Sequence, residues 1–183
     1  MAATGAIPGL IFCFSAMVLL IFVSVSAPTW NKVSFLNTAG RSFGVFGYTG
    51  SKPHVGYAFP FPNSNINTSI LHNLTYVLVL YPVAAGLSGL AVLFGICGAG
   101  YHRAGTVFMS LLAALAMLCT LVAWVISMAL FGVTRDKLNS DGITAQLGNA
   151  NWIALGALVA LLVGFCTAAC GVFGNYRRTR GFY

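Results

Sequence analysis

The chain is almost without negative charge. It contains no glutamate, and Asp136 and Asp141 are its only acidic residues, against nine lysines and arginines. Charged residues make up 6% of the 183 residues, whereas 58% are hydrophobic and the mean hydropathy is +0.89. This composition lies outside the range of soluble globular domains. It points to a protein of the lipid bilayer.

Four long apolar runs account for this composition, at about residues 7–27, 74–96, 107–131 and 152–173. A helix of about 20 apolar residues crosses the roughly 30 Å hydrocarbon core, and runs this continuous lack the alternation of barrel strands. The sequence therefore predicts an all-α membrane protein, a four-transmembrane-helix bundle forming one domain over residues 1–183. The remaining segments are an extracellular loop 28–73, a second outer loop 134–151 and a cytoplasmic tail 174–183.

The first apolar run has an alternative interpretation as a signal peptide, because Ser24-Val25-Ser26-Ala27 resembles a cleavage site. However, no lysine or arginine precedes it, and Pro28 would follow the cut directly. Signal peptides have a charged start and an apolar core of roughly 7–15 residues, shorter than this run. We therefore expect the run to be retained as a helix.

No aspartate, glutamate, lysine, arginine or histidine lies in any of the four runs. Proton relays, ion pathways and coupled transporters generally depend on such groups inside the membrane. Their absence argues against a coupled transporter, although a pore lined by backbone carbonyls stays open as an alternative. The histidines are isolated, without metal-ligand spacing, and the two aspartates are more typical of a solvated loop than of a calcium site. We expect no enzyme, no cofactor and no bound metal.

The five cysteines lie in or beside the apolar runs, at Cys13, Cys97, Cys119, Cys166 and Cys170. No polar loop contains a cysteine, so no disulfide is expected in the loops. Buried cysteines usually act as small hydrophobic residues. Palmitoylation of Cys97 and Cys170, near the expected cytoplasmic ends of their helices, is a further hypothesis.

The orientation follows from the basic residues and from two glycosylation sequons. Arginines are dense in the tail and next to the short turn at 101–105, which favours cytoplasmic termini. Asn67 and Asn73 begin Asn-x-Ser/Thr sequons in the first loop, which favours an extracellular face for that loop. Basic residues at membrane edges also fit lipid contact better than nucleic-acid binding. We predict a multi-pass protein with both termini in the cytoplasm.

The first loop is rich in aromatic and β-branched residues separated by glycine and proline. Three segments, 32–36, 42–48 and 54–59, predict short strands of a small extracellular β-sheet. A loop of this length cannot build its own hydrophobic core, so the sheet should rest on the helix ends. Pro82 should perturb the second apolar run near its outer end. One interpretation of the third run is that its helix continues beyond the membrane and ends before a turn at Gly142.

Small residues recur every four positions along two of the runs: Gly156, Ala160, Gly164 and Ala168 in the fourth, and Ala91, Gly95 and Ala99 in the second. Such stripes allow the close helix approach that drives association within lipid. One interpretation is packing inside the bundle, and the other is an oligomer face towards a second protomer.

The first loop also contains specific motifs: Pro28-Thr29-Trp30, then Phe43-Gly44-Val45-Phe46-Gly47-Tyr48, then Val55-Gly56-Tyr57. In these residues the chain resembles the fungal SUR/PalI family of claudin-like four-span membrane proteins. The resemblance implies that Trp30, Gly44, Phe46, Gly47, Tyr48, Gly56 and Tyr57 form the family's loop motif. Thr49 stands where the family usually has a cysteine, and no cysteine follows in the loop. The bracing disulfide is therefore absent, and packing on the helices or on a partner must replace it.

The same resemblance implies a plasma-membrane protein of fungi, of a family that organises membrane domains such as eisosome-associated compartments, influences the cell wall or assists the ambient-pH receptor. With the uncharged runs and small-residue stripes, it leads us to predict a structural protein that contacts membrane lipids and associates laterally with itself or other membrane proteins. The alternative is an accessory subunit of the ambient-pH signalling receptor complex. Whether the first loop meets a neighbour in the same membrane, an opposing cell or wall polysaccharide stays open.

Overall fold

The computed structural model describes residues 7–38, 40–57, 69–100 and 103–179. The helices are α1 (Ile7–Ser24), α2 (Ser69–Val77), α3 (Leu80–Gly100), α4 (Arg103–Ser140) and α5 (Ala150–Thr179). The strands are β1 (Leu36–Thr38), β2 (Arg41–Phe43) and β3 (Ala145–Leu147). The predicted class, a helical membrane protein with a small sheet, is confirmed.

Three helical segments are long and apolar enough to cross a membrane: Asn73–Gly98, Val107–Ser140 and Ala150–Ala169. A shorter apolar helix, Pro8–Ser24, lies beside them. The long helices pack in a ring in the order α1, α3, α4, α5, so that each has two neighbours. Alternating chain direction places the ends of α1 and α4 and the starts of α2 and α5 at the same end of the ring.

The interior of the ring contains many small side chains beside larger ones such as Leu20 and Leu161. Ala16, Ala84, Ala116 and Ala157 are fully buried, whereas Leu93 and Leu111 are about 60% exposed on the outside. Leucine gains little by facing another helix rather than lipid, while alanine lets two helix backbones approach closely. This arrangement is typical of helices that pack within a bilayer.

The second apolar run is interrupted at Leu78 and Val79, between α2 and α3. Pro82 has no N–H to donate to the carbonyl of Leu78, and its ring would clash with that carbonyl in a continuous helix. The chain instead makes a tight turn in which the Tyr81 N–H donates to the Leu78 oxygen at 3.1 Å. The perturbation predicted from Pro82 therefore takes the form of a break four residues upstream.

Helix α4 continues beyond the apolar run 107–131 and ends at Ser140, before a turn at Asp141 and Gly142. Leu130, Thr134 and Leu138 are buried at four-residue spacing on one face of this extension. That face packs against β3. Burial of one apolar stripe is what holds a helix together past the membrane core.

The sheet has three short antiparallel strands in the order β2-β1-β3. Leu36 pairs with Phe43 on one side and with Leu147 on the other. The small sheet is confirmed, but its strands differ from the predicted segments. Strand β1 overlaps the predicted segment 32–36 only at Leu36, β2 overlaps 42–48 only at residues 42 and 43, and β3 comes from the second loop. Residues 54–57 contain no strand, and residues 58 and 59 lie outside the described residues. Strand patterns within one loop carry no signal of pairing with a distant loop.

Candidate functional site: the loop layer

We use the name loop layer for residues 25–57 and 141–149, which cover the end of the helix ring that carries the sheet. Phe35 joins this layer to the helices. Its fully buried ring stacks on Phe131 of α4, with centroids 5.1 Å apart, and lies 5.5 Å from the ring of Tyr81 in α3. A fully buried aromatic side chain dominates the local packing energy. The sheet is thereby anchored in the helix core, as the sequence predicted.

Gly44 is the point where the loop layer touches the end of α1. A Cβ atom at this position would overlap the backbone oxygen of Ala27 and lie 2.6 Å from its nitrogen. The next residue, Val45, donates its N–H to Ser26 Oγ at 3.0 Å. Only glycine permits this close approach of two backbones, which explains the first glycine of the motif.

A tight turn follows at residues 44–51. The Gly44 N–H donates to the Gly47 oxygen at 2.8 Å, and the Tyr48 N–H donates to Ser51 Oγ at 3.0 Å. Ser51 in turn donates its hydroxyl to the Tyr48 oxygen at 2.8 Å. Each half of the turn is therefore closed by its own hydrogen bonds.

Tyr57 returns to the start of this turn. Its hydroxyl is buried and donates to the Gly44 oxygen at 3.0 Å, and its ring lies 6.4 Å from those of Phe43 and Tyr48. Burial raises the pKa of the Tyr57 hydroxyl far above its ordinary value. The hydroxyl consequently stays protonated and keeps donating to the backbone.

The other motif residues surround the turn at residues 44–51. Gly56 has φ +71°, and a Cβ there would collide with the ring of Tyr76 in α2. Phe46 is half-buried, and its oxygen accepts the His54 N–H at 2.8 Å. Trp30 is 42% exposed, 5.7 Å from the Phe22 ring at the end of α1. The motif thus gives a compact loop fastened to α1 and α2.

Thr49 occupies the position of the absent cysteine and makes polar contacts instead. Its hydroxyl lies 3.1 Å from Asn31 Oδ1 and 3.2 Å from the Ser42 nitrogen, which donates to it. The Thr49 N–H donates to the Ser42 oxygen at 3.0 Å. These bonds connect the start of the loop, β2 and the turn, so hydrogen bonding at Thr49 ties together three parts of the loop.

The second loop is fastened to the first through Gly148. Its N–H donates to the Phe35 oxygen at 2.9 Å, and a Cβ would overlap the Ser34 oxygen. The Ala150 N–H donates to the same Ser34 oxygen at 3.0 Å. Sequence reasoning missed this contact, because nothing around Gly148 distinguishes it from an ordinary loop glycine.

The small-residue stripe of α5 is divided between two environments. At one end, Gly164 and Ala168 face Gly9 of α1, where a Cβ on Gly9 would lie 3.2 Å from the Gly164 oxygen. At the other end, Gly156 is exposed and Ala160 half-buried. Gly164 and Ala168 therefore pack within the chain and Ala160 packs against the core, whereas Gly156 lies at the outer surface of the ring.

The stripe of α3 faces inwards. Ala91 is fully buried, and a Cβ on Gly95 would lie 2.8 Å from Met109 Sδ of α4 and 3.1 Å from Leu10 Cδ1 of α1. The side chain of Ala99 lies outside the described residues. The described part of this stripe is occupied by contacts within the chain.

The modification candidates are only partly described. Asn73 is exposed in α2, and Asn67 lies outside the described residues. Cys13, Cys97, Cys119 and Cys166 are free thiols, with Cys97 exposed, while the side chain of Cys170 is outside the described part. Within the ranges that the structure describes, no group of three metal-ligating side chains comes together.

Asn151, in the first turn of α5, is a polar residue that sequence reasoning did not select. Its side chain is 2% exposed, and both its oxygen and its nitrogen lack a hydrogen-bond partner among the described residues. Its backbone oxygen accepts the Trp124 Nε1–H at 3.3 Å. A buried unsatisfied amide costs about 1–3 kcal/mol.

A ring of apolar helices joined to a small sheet at one end defines a multi-pass membrane protein of claudin-like tetraspan architecture. The profile of the SUR7/PalI family matches residues 5–166, and the chain belongs to this family. The family predicted from the loop motif is therefore confirmed. No curated protein matches the sequence.

Proposed function

We propose that the protein is a structural, membrane-organising tetraspan of the plasma membrane, with both termini in the cytoplasm. In this role it associates laterally with itself or with other membrane proteins and contributes to membrane domains and the cell wall. Membership of the SUR7/PalI family supports this class of role.

The observation that carries the proposal is the exposed end of the α5 stripe. Gly156 is exposed, and the nearest atom to a Cβ built there, Leu19 Cδ1, is 3.9 Å away. Trp152, four positions earlier, and Val159, three positions later, are its neighbours on the helix surface and are 68% and 54% exposed. A helix of a second protomer can approach closely at such a small residue and pack against its larger neighbours.

The polar groups of the interior also favour a packing role. The buried hydroxyls of Ser24, Thr120 and Thr134 each donate to a carbonyl four residues earlier in their own helix, at 2.7–2.8 Å. Such side chains satisfy their donors within their own helix. This pattern supports association over transport.

Lateral association is tested with Gly156→Leu, which places a large side chain on the proposed contact at a position where a Cβ meets only Leu19 Cδ1, at an ordinary van der Waals distance of 3.9 Å. The matched control is Gly86→Leu on α3, where the structure has no described atom within 4 Å of a Cβ. Both variants are extracted in native-membrane nanodiscs, and the mass of the intact assembly is measured. We expect Gly156→Leu to shift the assembly to smaller species and the control to leave it unchanged.

Monomers in every sample, with no co-purifying membrane protein, would overturn the proposal. Equal effects of the two substitutions would remove α5 as the contact and assign the loss to general changes in lipid packing.

The proposed orientation has a separate test. An Asn67→Gln substitution should abolish a glycosidase-sensitive mobility shift if the first loop is extracellular, and Asn73→Gln tests the sequon closer to the bilayer. Protease cleavage of the first loop from the cytoplasmic side of sealed vesicles would reverse the orientation.

The alternative, an accessory subunit of the ambient-pH receptor complex, rests on the family alone. Deletion of the protein distinguishes the two roles. Loss of growth at alkaline pH with normal membrane-domain patterning favours the accessory subunit, whereas altered patterning with normal alkaline growth favours the organising role.

A further inference from the structure

The uncharged part of α4 is longer than a membrane is thick. Between Arg103, where α4 begins, and Arg135 the helix contains no charged residue. At about 1.5 Å per residue this stretch rises about 48 Å, whereas the hydrocarbon core of a bilayer is roughly 30 Å thick. Charge therefore does not decide where α4 leaves the lipid at the end that carries the loop layer.

The tryptophans of the protein supply the missing level, and two of them meet where α4 contacts α5. The Trp124 Nε1–H of α4 donates to the Asn151 oxygen at 3.3 Å. Asn151 directly precedes Trp152 in the first turn of α5. Trp124 and Trp152 therefore lie at the same height along the helix ring.

Contacts between α1 and α5 place the third tryptophan, Trp30, at this height as well. A Cβ on Gly156 would lie 3.9 Å from Leu19 Cδ1. The two helices run in opposite directions, so one turn further towards the loop layer Trp152 is level with the turn of α1 that contains Phe22. The Trp30 ring lies 5.7 Å from the Phe22 ring. All three tryptophans of the protein are thus within about one helical turn of a common level.

Two of these indole rings face outwards, beside apolar side chains of the helices. Trp152 is 68% exposed, and Val159 on the same side of α5 is 54% exposed. Trp30 is 42% exposed against the 40% exposed ring of Phe22, and it is followed in the chain by exposed Lys32. An exposed indole between an apolar and a polar surface is typical of the boundary between lipid tails and headgroups.

We infer that Trp30 and Trp152 anchor the protein in the headgroup region of the leaflet on the loop-layer side, and that α4 leaves the hydrocarbon core near Trp124. From Arg103 to Trp124 the helix rises about 32 Å, close to the thickness of that core. The following turns of α4, up to Ser140, stand outside the hydrocarbon together with the loop layer. This boundary depends neither on the orientation nor on the α5 contact proposed above, so each can fail alone.

The first test measures the depth of each anchor by fluorescence quenching in nanodiscs that hold one copy of the full chain. The lipids are phosphatidylcholines with a nitroxide in the headgroup, near the top of the acyl chain or near its end. Trp124→Phe/Trp152→Phe leaves Trp30 as the only tryptophan, and Trp30→Phe/Trp124→Phe leaves Trp152. We expect the headgroup and upper-chain labels to quench each tryptophan more than the chain-end label does. For either residue, stronger quenching by the chain-end label, or none by any label, would overturn the anchoring.

The second test locates the point where α4 leaves the lipid. Val125 and Val133 form a matched pair on α4, with 50% and 49% of their surfaces exposed. Each is replaced by tryptophan in a chain whose own tryptophans are changed to phenylalanine. Val125→Trp should be quenched by the same labels as Trp152, whereas Val133→Trp should lie about 12 Å further out and be quenched by aqueous iodide instead. Equal quenching of the two by the upper-chain label would refute the boundary and extend the lipid as far as Val133.

Discussion

Removal of the Phe35 ring should detach the loop layer from the helices. Phe35 is fully buried between Phe131 and Tyr81, at centroid distances of 5.1 and 5.5 Å. Truncation of a buried phenylalanine to alanine costs about 3–5 kcal/mol, because it removes contacts and leaves a cavity. We expect Phe35→Ala to lose this amount from the free energy of unfolding.

The effect of Phe35→Ala should extend beyond the cavity left by the ring, because the backbone of Phe35 is bonded to both loops. Its N–H donates to the Phe43 oxygen at 2.7 Å and its oxygen accepts from Gly148 at 2.9 Å, so both loops depend on its position. A shift of the backbone towards the cavity would weaken both bonds. The loss should therefore appear as loosening of the first and second loops together.

The assay is thermal unfolding in detergent together with limited proteolysis of the loops. A cost of about 3–5 kcal/mol lowers the midpoint by roughly 6–20 °C for a domain of this size. The matched control is Val133→Ala on the exposed face of α4, where the side chain is 49% exposed and little change is expected. An unchanged midpoint and protease-resistant loops in Phe35→Ala would refute the anchoring role of this ring.

Substitutions at four further positions test the loop layer and the start of α5. Gly44→Ala places a Cβ against the Ala27 backbone and should lower the unfolding midpoint by several degrees, and an unchanged midpoint would contradict this contact. Thr49→Val removes the hydroxyl contacts and should cost about 1 kcal/mol, whereas Thr49→Ser should retain most of the wild-type stability. Because the raised pKa of Tyr57 keeps its hydroxyl protonated when folded, wild-type stability should fall as pH rises above about 10, where the unfolded chain ionises. Tyr57→Phe should show a shallower decline in a pH series of melts; an identical slope would refute the assignment. Asn151→Leu removes an unsatisfied buried amide and should leave the midpoint equal or higher, so a clear decrease would reveal a polar partner for the side chain.

The helices could be predicted because each apolar run is continuous and uncharged. Burial in lipid requires internal hydrogen bonding along the whole run, so composition alone determines the element. Pro82 predicts that the second helix is disturbed, because proline cannot donate the helical hydrogen bond to Leu78. The exact position of the break depends on the turn that replaces this bond. The extension of α4 to a turn at Gly142 is one interpretation of the sequence, and the structure agrees with it: α4 ends at Ser140 and Leu138 is buried.

For the strands, the sequence predicts only that the first loop tends to form β-structure. Which strands pair is decided by contacts between the two loops, above all Leu36 with Leu147 and Phe35 with Gly148. Such contacts join residues far apart in sequence, and a periodic pattern in one segment carries no information about its partner. The predicted strand over residues 54–59 is an aromatic segment whose Tyr57 instead packs on its neighbours and bonds to Gly44.

The loop motif was recognised as a pattern of glycines and aromatics, and the structure supplies its physical basis. Gly44 and Gly56 mark close approaches, to Ala27 and to the Tyr76 ring, that a single sequence does not reveal. The sequence likewise shows only that Thr49 replaces the family's usual cysteine, and it does not show what the threonine contacts. Its partners, Asn31 and Ser42, become neighbours only after the loop has folded.

The position of β3 sets an order for biogenesis. Strand β1 pairs on one side with β2, a few residues away, and on the other with a segment made only after α4. Until residues 145–147 emerge from the translocation machinery, the hairpin keeps an unpaired edge, and such edges are prone to wrong pairing. The nascent protein is thus most vulnerable from synthesis of its first loop until its third membrane crossing is complete, when a chaperone for exposed strands has most to protect.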